Sequence, residues 1–230
     1  MNRSYRLIWN RARQCWNVAS ELSRARGKSG GRAARVMGAS LMLGMGGAHA
    51  ALPEGGTVSA GTGTISRDGN ALVIDQQSQR LVTDWQSFSI ASDHRVEFRQ
   101  PDARSAALAR VLGPEVSVIE GALSATGQLF LVNPNGVLFA PGSEVDVGSL
   151  VASTLSIRTE DFMAGNYRFG GDSRGLVMNR GNIRAAQGGL VALIAARVEN
   201  LGDIDAPEGT VALTAASRVR VDMGGPVKVQ

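Results

Sequence analysis

From residue 51 onward, apolar and polar positions alternate in short bursts. Leu72/Ile74, Val96/Phe98, Val145/Val147, Val191/Leu193, Val211/Leu213 and Val219/Val221 each repeat with a period of two. That is the period of a strand with one face in a core and the other in water. Gly, Asn or Pro interrupts the pattern every few residues, which leaves no room for a helix of useful length and predicts an all-β body of short strands.

The bursts themselves recur. Asn179-Arg-Gly-Asn-Ile183 returns 21 residues later as Asn200-Leu-Gly-Asp-Ile204, and Gly189-Leu-Val-Ala-Leu193 returns 20 residues later as Gly209-Thr-Val-Ala-Leu213. Gly121-Ala-Leu-Ser-Ala125, followed by Leu129 and Leu131, is a looser copy upstream. A repeat of this length with several strands in it predicts a β-solenoid. One coil cannot bury its inner face alone, but stacked coils pair in parallel at about 4.8 Å and lay each inward aliphatic on its equivalent below. Parallel pairing across such short turns needs a coiled topology, because ordinary parallel strands need long crossovers. At ~20 residues per coil the body would make about nine coils in a rod on the order of 40 Å long. The competing reading is an antiparallel sandwich with chance internal similarity. A solenoid also needs its first coil covered, a task that falls to the segment beginning near Leu52.

Residues 1–50 follow a different pattern. They carry nine of the 24 basic residues and one of the 20 acidic ones, leaving the remaining 180 residues with a small excess of negative charge. The apolar segment 36–48 ends in Ala48-His49-Ala50, which fits the small-x-small rule of signal peptidase. Residues 1–50 are thus a secretory leader, expected to be helical or disordered and cleaved near Ala50, and 51–230 form the mature domain. The block before the apolar segment exceeds an ordinary signal of ~15–30 residues. Its Asn2, Tyr5, Arg6, Trp9, Cys15, Trp16, Glu21 and Arg24-Ala-Arg-Gly-Lys28 resemble the extended signal-peptide region of Gram-negative type V secreted proteins. That resemblance implies slowed inner-membrane targeting and delivery to the periplasm by the Sec machinery. With the basic residues gathered in the leader, the body lacks the charge for a nucleic-acid partner.

The mature region resembles the N-terminal two-partner secretion domain of the filamentous haemagglutinin family. The residues that carry this are Leu72-Val-Ile-Asp-Gln76, Trp85-Gln-Ser-Phe88, Val96-Glu-Phe-Arg-Gln-Pro101, Arg110-Val111, Ser117-Val-Ile-Glu-Gly121, Gly127 through Phe139, and Leu150-Val-Ala-Ser-Thr154. The resemblance implies a right-handed parallel β-helix and recognition by the periplasmic POTRA domains of a TpsB-type outer-membrane transporter. It also implies folding at the surface of a Gram-negative cell, with a parent protein that is an adhesin or haemagglutinin and reaches host-cell ligands through a downstream region. Ala109 departs from the family pattern, which places Asn before the Arg-Val pair.

The centre of the resemblance is Asn133-Pro134-Asn135-Gly136. Asn first, Pro second and Gly fourth are type I turn preferences, and Pro134 pushes Asn133 towards an extended conformation. Two readings stand side by side: a corner held by Asn side-chain bonds, and a secretion motif shown to the transporter.

Little other chemistry is legible. The body has one histidine, His94, and no cysteine, so neither a disulfide scaffold nor a zinc site is expected and no cofactor is implied. Asp203 and Asp205 are read as solvent-facing strand residues. No cluster of carboxylates with Arg or Lys stands out, which argues against a carbohydrate-active β-helix enzyme. That enzyme remains the alternative, with a freestanding adhesin module and the head of a haemolysin or contact-dependent inhibition toxin. The strand pattern at Arg218–Asp222 runs close to Gln230, and the chain is expected to be a truncated frame or a fragment of a longer exoprotein.

Overall fold

The computed structural model describes residues 5–10, 15–20, 51–223 and 227–229. The chain divides into two compact units, Met1–Gly46 and Gly47–Gln230. In the first, β1 (Tyr5–Asn10) and β2 (Cys15–Ser20) pair antiparallel, with Trp9 opposite Trp16. This differs from the helix or disorder expected for the leader. Tyr5, Ile8, Trp9, Trp16 and Val18 are aromatic or β-branched, and such residues favour a pleated strand once a partner is at hand. The cleavage-site residues Ala48 and Ala50 lie outside the described residues.

The second unit is a right-handed parallel β-helix, a solenoid of about seven turns. Its chain begins with a cap, β3 (Thr57–Ala60) and β4 (Gly63–Asp68), and enters the stack at β5 (Ala71–Gln76) and β6 (Arg80–Trp85). The winding continues through β7 (Arg95–Arg99), β8 (Ala106–Val111), β9 (Ser117–Ile119), β10 (Ala122–Val132), β11 (Val137–Phe139) and β12 (Glu144–Ser153). An excursion follows, α1 (Thr159–Met163) and β13 (Arg168–Gly170), before the stack resumes at β14 (Leu176–Asn179). The last turns are β15 (Asn182–Ala185), β16 (Leu190–Ala195), β17 (Arg197–Asn200), β18 (Asp203–Asp205) and β19 (Thr210–Ala215). Strands β20 (Arg218–Arg220) and β21 (Lys228–Val229) leave it.

Three faces result. Strands β5, β7, β10, β12, β15 and β18 stack in parallel on the first, β6, β8, β10, β12, β16 and β19 on the second, and β9, β11, β14 and β17 on the third. The long strands β10 and β12 bend from the first face to the second. Inward residues align in columns: Leu72, Val96, Leu123, Val145, Ile183 and Ile204 on the first face, and Leu81, Ala107, Leu129, Leu150, Val191 and Val211 on the second. Ala109, paired with Thr83 and Leu131 on the second face, is also a fully buried core residue, so an apolar side chain suits the place. The cap is antiparallel, β3 on β6 and β4 on β5, and Leu52 is buried beneath it, as the sequence requires of that segment.

Three expectations are corrected. The turns number about seven instead of nine, because the cap and the excursion consume residues outside the coils. The second face is not half in water: Val82, Leu108, Phe130, Val151, Ala192 and Ile194 point outward yet are fully buried. Leu155, Ile157, Phe162, Tyr167, Phe169, Val219 and Val221 cover them. Val219 and Val221 therefore do not belong to a further coil, for β20 turns back and pairs antiparallel with β13. The cover takes the apolar side chains of the second sheet's outer face out of water, which favours it.

Candidate functional site

The turn between β10 and β11 is the Asn133–Gly136 corner. Gly136 N–H donates to the Asn133 carbonyl at 3.1 Å, closing a four-residue turn. Gly136 has φ +130°, a conformation that glycine adopts without a Cβ penalty. Asn133 is fully buried. Its Nδ2 donates to the Glu115 carbonyl and to Ser117 Oγ, both at 2.9 Å. Its Oδ1 accepts from Asn135 N–H at 3.0 Å and from Asn135 Nδ2 at 3.2 Å. Asn135 Nδ2 also donates to the Gly113 carbonyl at 2.9 Å, and the Ser173 hydroxyl donates to the Pro134 carbonyl at 2.6 Å. Pro134 and Asn135 are exposed.

The four residues thus divide into two pairs. Asn133 and Gly136 are buried and fasten the corner to the loop of the preceding turn, while Pro134 and Asn135 form its outer surface and tie it further to Ser173 and Gly113. The sequence marked Ser117 as part of the family resemblance but gave no sign that it, Gly113, Glu115 or Ser173 fastens this corner, since they lie 16 to 39 positions from the groups they bond. Only the solenoid brings them in. The repeated Asn-x-Gly corner works the same way. Asn179 is fully buried, accepts from Gly181 N–H at 3.1 Å, and donates to Asn200 Oδ1 of the next turn at 2.8 Å.

His94, the body's one histidine, meets Asp93 in the loop before β7, Nδ1 to Oδ1 at 2.6 Å. Among the described residues no serine hydroxyl hydrogen-bonds the ring. Asp203 and Asp205 are exposed, as read from the sequence. They nevertheless join Glu144, Asp146 and Arg184 around an open groove of about 300 Å³ on the first face. The mixed cluster absent from the sequence pattern is therefore assembled by stacking, because Glu144, Asn182 and Asp203 share one column and Asp146, Arg184 and Asp205 the next. Farther along this face Arg99 bonds both oxygens of Glu97 at 3.0 Å, which holds the Glu97 carboxyl below its usual range. Among the described residues no group of His, Cys, Asp and Glu is arranged to hold a metal ion.

A family model described as the TPS secretion domain matches residues 49–225, and one described as the Extended Signal Peptide of Type V secretion system matches residues 1–50. The heme/hemopexin-binding protein of Haemophilus influenzae (strain ATCC 51907 / DSM 11121 / KW20 / Rd) is 38% identical over 164 residues, 67% of this chain and 18% of that protein. A second Haemophilus influenzae heme/hemopexin-binding protein is 36% identical over 110 residues, 47% of this chain and 12% of that one. The chain thus spans less than a fifth of the length of these relatives. The crystal structure of the HMW1 secretion domain from Haemophilus influenzae matches with a TM-score of 0.73 and 29% identity, covering 76% of this chain and 48% of that one. The filamentous hemagglutinin secretion domain, at TM-score 0.50 and 22% identity over 74% of this chain and 64% of that one, shares the fold.

Proposed function

The chain belongs to the TPS secretion domain family, and on that premise we propose that the POTRA domains of its transporter read it at the outer surface of the Asn133–Gly136 corner. The chain is the secretion domain of a two-partner exoprotein, sent across the Gram-negative envelope with a cognate TpsB transporter. The observation that carries recognition at the corner is its exposed outer surface, with Pro134 and Asn135 exposed while Asn133 is buried and bonded at both ends of its amide. A corner serving stability alone needs the Asn133 bonds and the brace from Asn135 Nδ2, and has no need to show the Pro134 ring to solvent.

In this reading the Sec machinery delivers an unfolded chain and the POTRA domains take it up, with strand addition to a sheet edge as the supporting contact. The β-helix then winds at the cell surface, where the parent protein acts as an adhesin. The heme/hemopexin-binding proteins share less than a fifth of their length with this chain, so the likeness is read here for export, and host-cell and haem-binding assays assign the cargo. We also read the domain as non-enzymatic. Release of products from a panel of acidic polysaccharides would overturn that and bring the first-face carboxylates forward.

The test is co-expression with the transporter of Pro134→Ala and Asn135→Ser, measuring secreted protein and the thermal midpoint of the purified domain. Secretion should fall several-fold in at least one variant whose midpoint stays near the parent's. Wild-type secretion in both would leave the corner a structural element only.

A further inference from the structure

The antiparallel sheet beside the second face holds an arrangement that the secretion reading does not use. Arg220 of β20 stands directly between Arg168 of β13 and Lys228 of β21. Directly opposed residues of antiparallel strands share a face, and like charges so placed repel. A row of three exposed cations therefore works against its own sheet unless an anion answers it.

Arg220 also borders a pocket of about 270 Å³, lined further by Arg80, Arg104, Gln128, Gly165 and Tyr167. Arg80 projects from the first residue of β6, and its guanidinium lies against Gly165, where an added Cβ would come within 2.7 Å of Nη2. Gly165 has φ +76°, so the turn after α1 both requires glycine and leaves room for the guanidinium. Arg80 Nε is buried without a hydrogen-bond partner, a donor that folding has desolvated and left unanswered. None of the ion pairs among the described residues engages Arg80, Arg104 or Arg220.

Two acids lie near. Asp222 borders the pocket and has an interaction of its own. Asp102, two residues from Arg104, is turned towards Gln79 Nε2 at 2.8 Å and towards the amides of Arg104 and Ser105. Three guanidinium groups against the single Asp222 carboxylate leave an excess of two positive charges at the pocket.

From this geometry we propose that Arg80, Arg104 and Arg220 form a binding site for a phosphomonoester, with Arg168 and Lys228 extending the positive surface beside it. The charge fits: a phosphate monoester carries about −1.5 to −2 near pH 7, whereas a sulfate ester or a carboxylate carries one negative charge. The donors fit, since guanidinium forks pair with phosphate oxygens through two N–H groups at once. The size fits as well, because the pocket lies just below the ~300–1,000 Å³ of sites for drug-sized ligands and suits a phosphate with part of a sugar ring.

Calorimetric titration of the secreted chain with inorganic phosphate, glucose 6-phosphate and glucose 6-sulfate at low ionic strength tests this. Saturable one-to-one binding of a phosphate is expected, with the sulfate ester weaker by about tenfold or more. Both Arg104→Gln and Arg220→Gln, changes at exposed side chains, should weaken phosphate binding by about tenfold. Tighter binding of glucose 6-phosphate than of the free ion identifies a sugar-borne phosphate as the source, and equal binding identifies the ion itself. Failure to saturate, equal affinity for the sulfate ester, or unchanged affinity in both variants overturns the proposal.

Discussion

Asn133 shows how one amide can hold a corner. All of its hydrogen-bonding groups are engaged within a fully buried pocket, and its partners belong to two different turns of the solenoid. Replacing it with an apolar residue of similar size leaves the Glu115 carbonyl, the Ser117 hydroxyl and the Asn135 amide without their partner. The Ser117 hydroxyl is buried and cannot turn to water, and a group so stranded costs about 1–3 kcal/mol, whereas the Glu115 carbonyl and the Asn135 amide belong to exposed residues. Asn133→Ile is therefore expected to destabilise the domain by about 1–3 kcal/mol, read as a lower midpoint in a urea melt at unchanged slope. Its secretion should fall along with its stability. An unchanged midpoint would mean that the Asn133 bonds contribute nothing net, and the division of the corner into fastening and displayed pairs would fail with it. The turn itself was legible from Asn, Pro and Gly at their favoured places. Which of the two asparagines faces water was not, because that depends on contacts with residues 16 and 22 positions away.

At the scale of elements, the second face departs furthest from the alternation seen along the sequence. Phe130 sits at its centre, fully buried, with ring centroids 4.5 Å from Tyr167, 5.2 Å from Phe162 and 6.4 Å from Phe169. Three of these four aromatics belong to the excursion, so one strand residue gathers all the aromatic rings of the covering layer. The layer is tied at its edge as well: Arg110 pairs with Asp84 at 2.8 Å and 3.1 Å and donates to Thr159 Oγ1 at 3.1 Å. Phe130→Ala should cost about 3–5 kcal/mol, in the range for emptying an aromatic site in a core. Limited proteolysis should then cut the excursion between residues 156 and 173 before the coils. Cleavage spread evenly over the chain would show that the layer does not depend on Phe130. A signal of this burial existed in the sequence, for β16 is apolar at all six positions, Leu190 to Ala195, and all six are buried. A strand wet on one face has no need of such a run. What sequence could not supply was the cover, since the excursion carries no repeat and pairs with β20 only in space.

On the scale of the whole domain, the repeat that predicted the solenoid also predicts how its stability is distributed. Each interior turn is paired above and below, as β10 is with β7, β8 and β12. The last turn has a neighbour on one side among the described residues: β17, β18 and β19 pair with β14, β15 and β16. The same inward column that is fully buried at Leu150 and Val191 is 46% exposed at Val211, and Leu213 in the adjacent column is 50% exposed. Stability in such a stack is close to a sum of turn and interface terms, so a turn with one interface opens more readily than one with two. Hydrogen exchange of the secreted chain should therefore run fastest in β17 to β19 and slowest in β10 and β12, with the capped β5 and β6 in between. If a longer exoprotein continues the winding, exchange in β19 should slow when the following turn is included, because Val211 and Leu213 gain the neighbour that Val191 and Leu193 already have. Uniform exchange from β5 to β19 would show that the domain opens as one cooperative unit, and turn-by-turn winding during export would lose its physical basis.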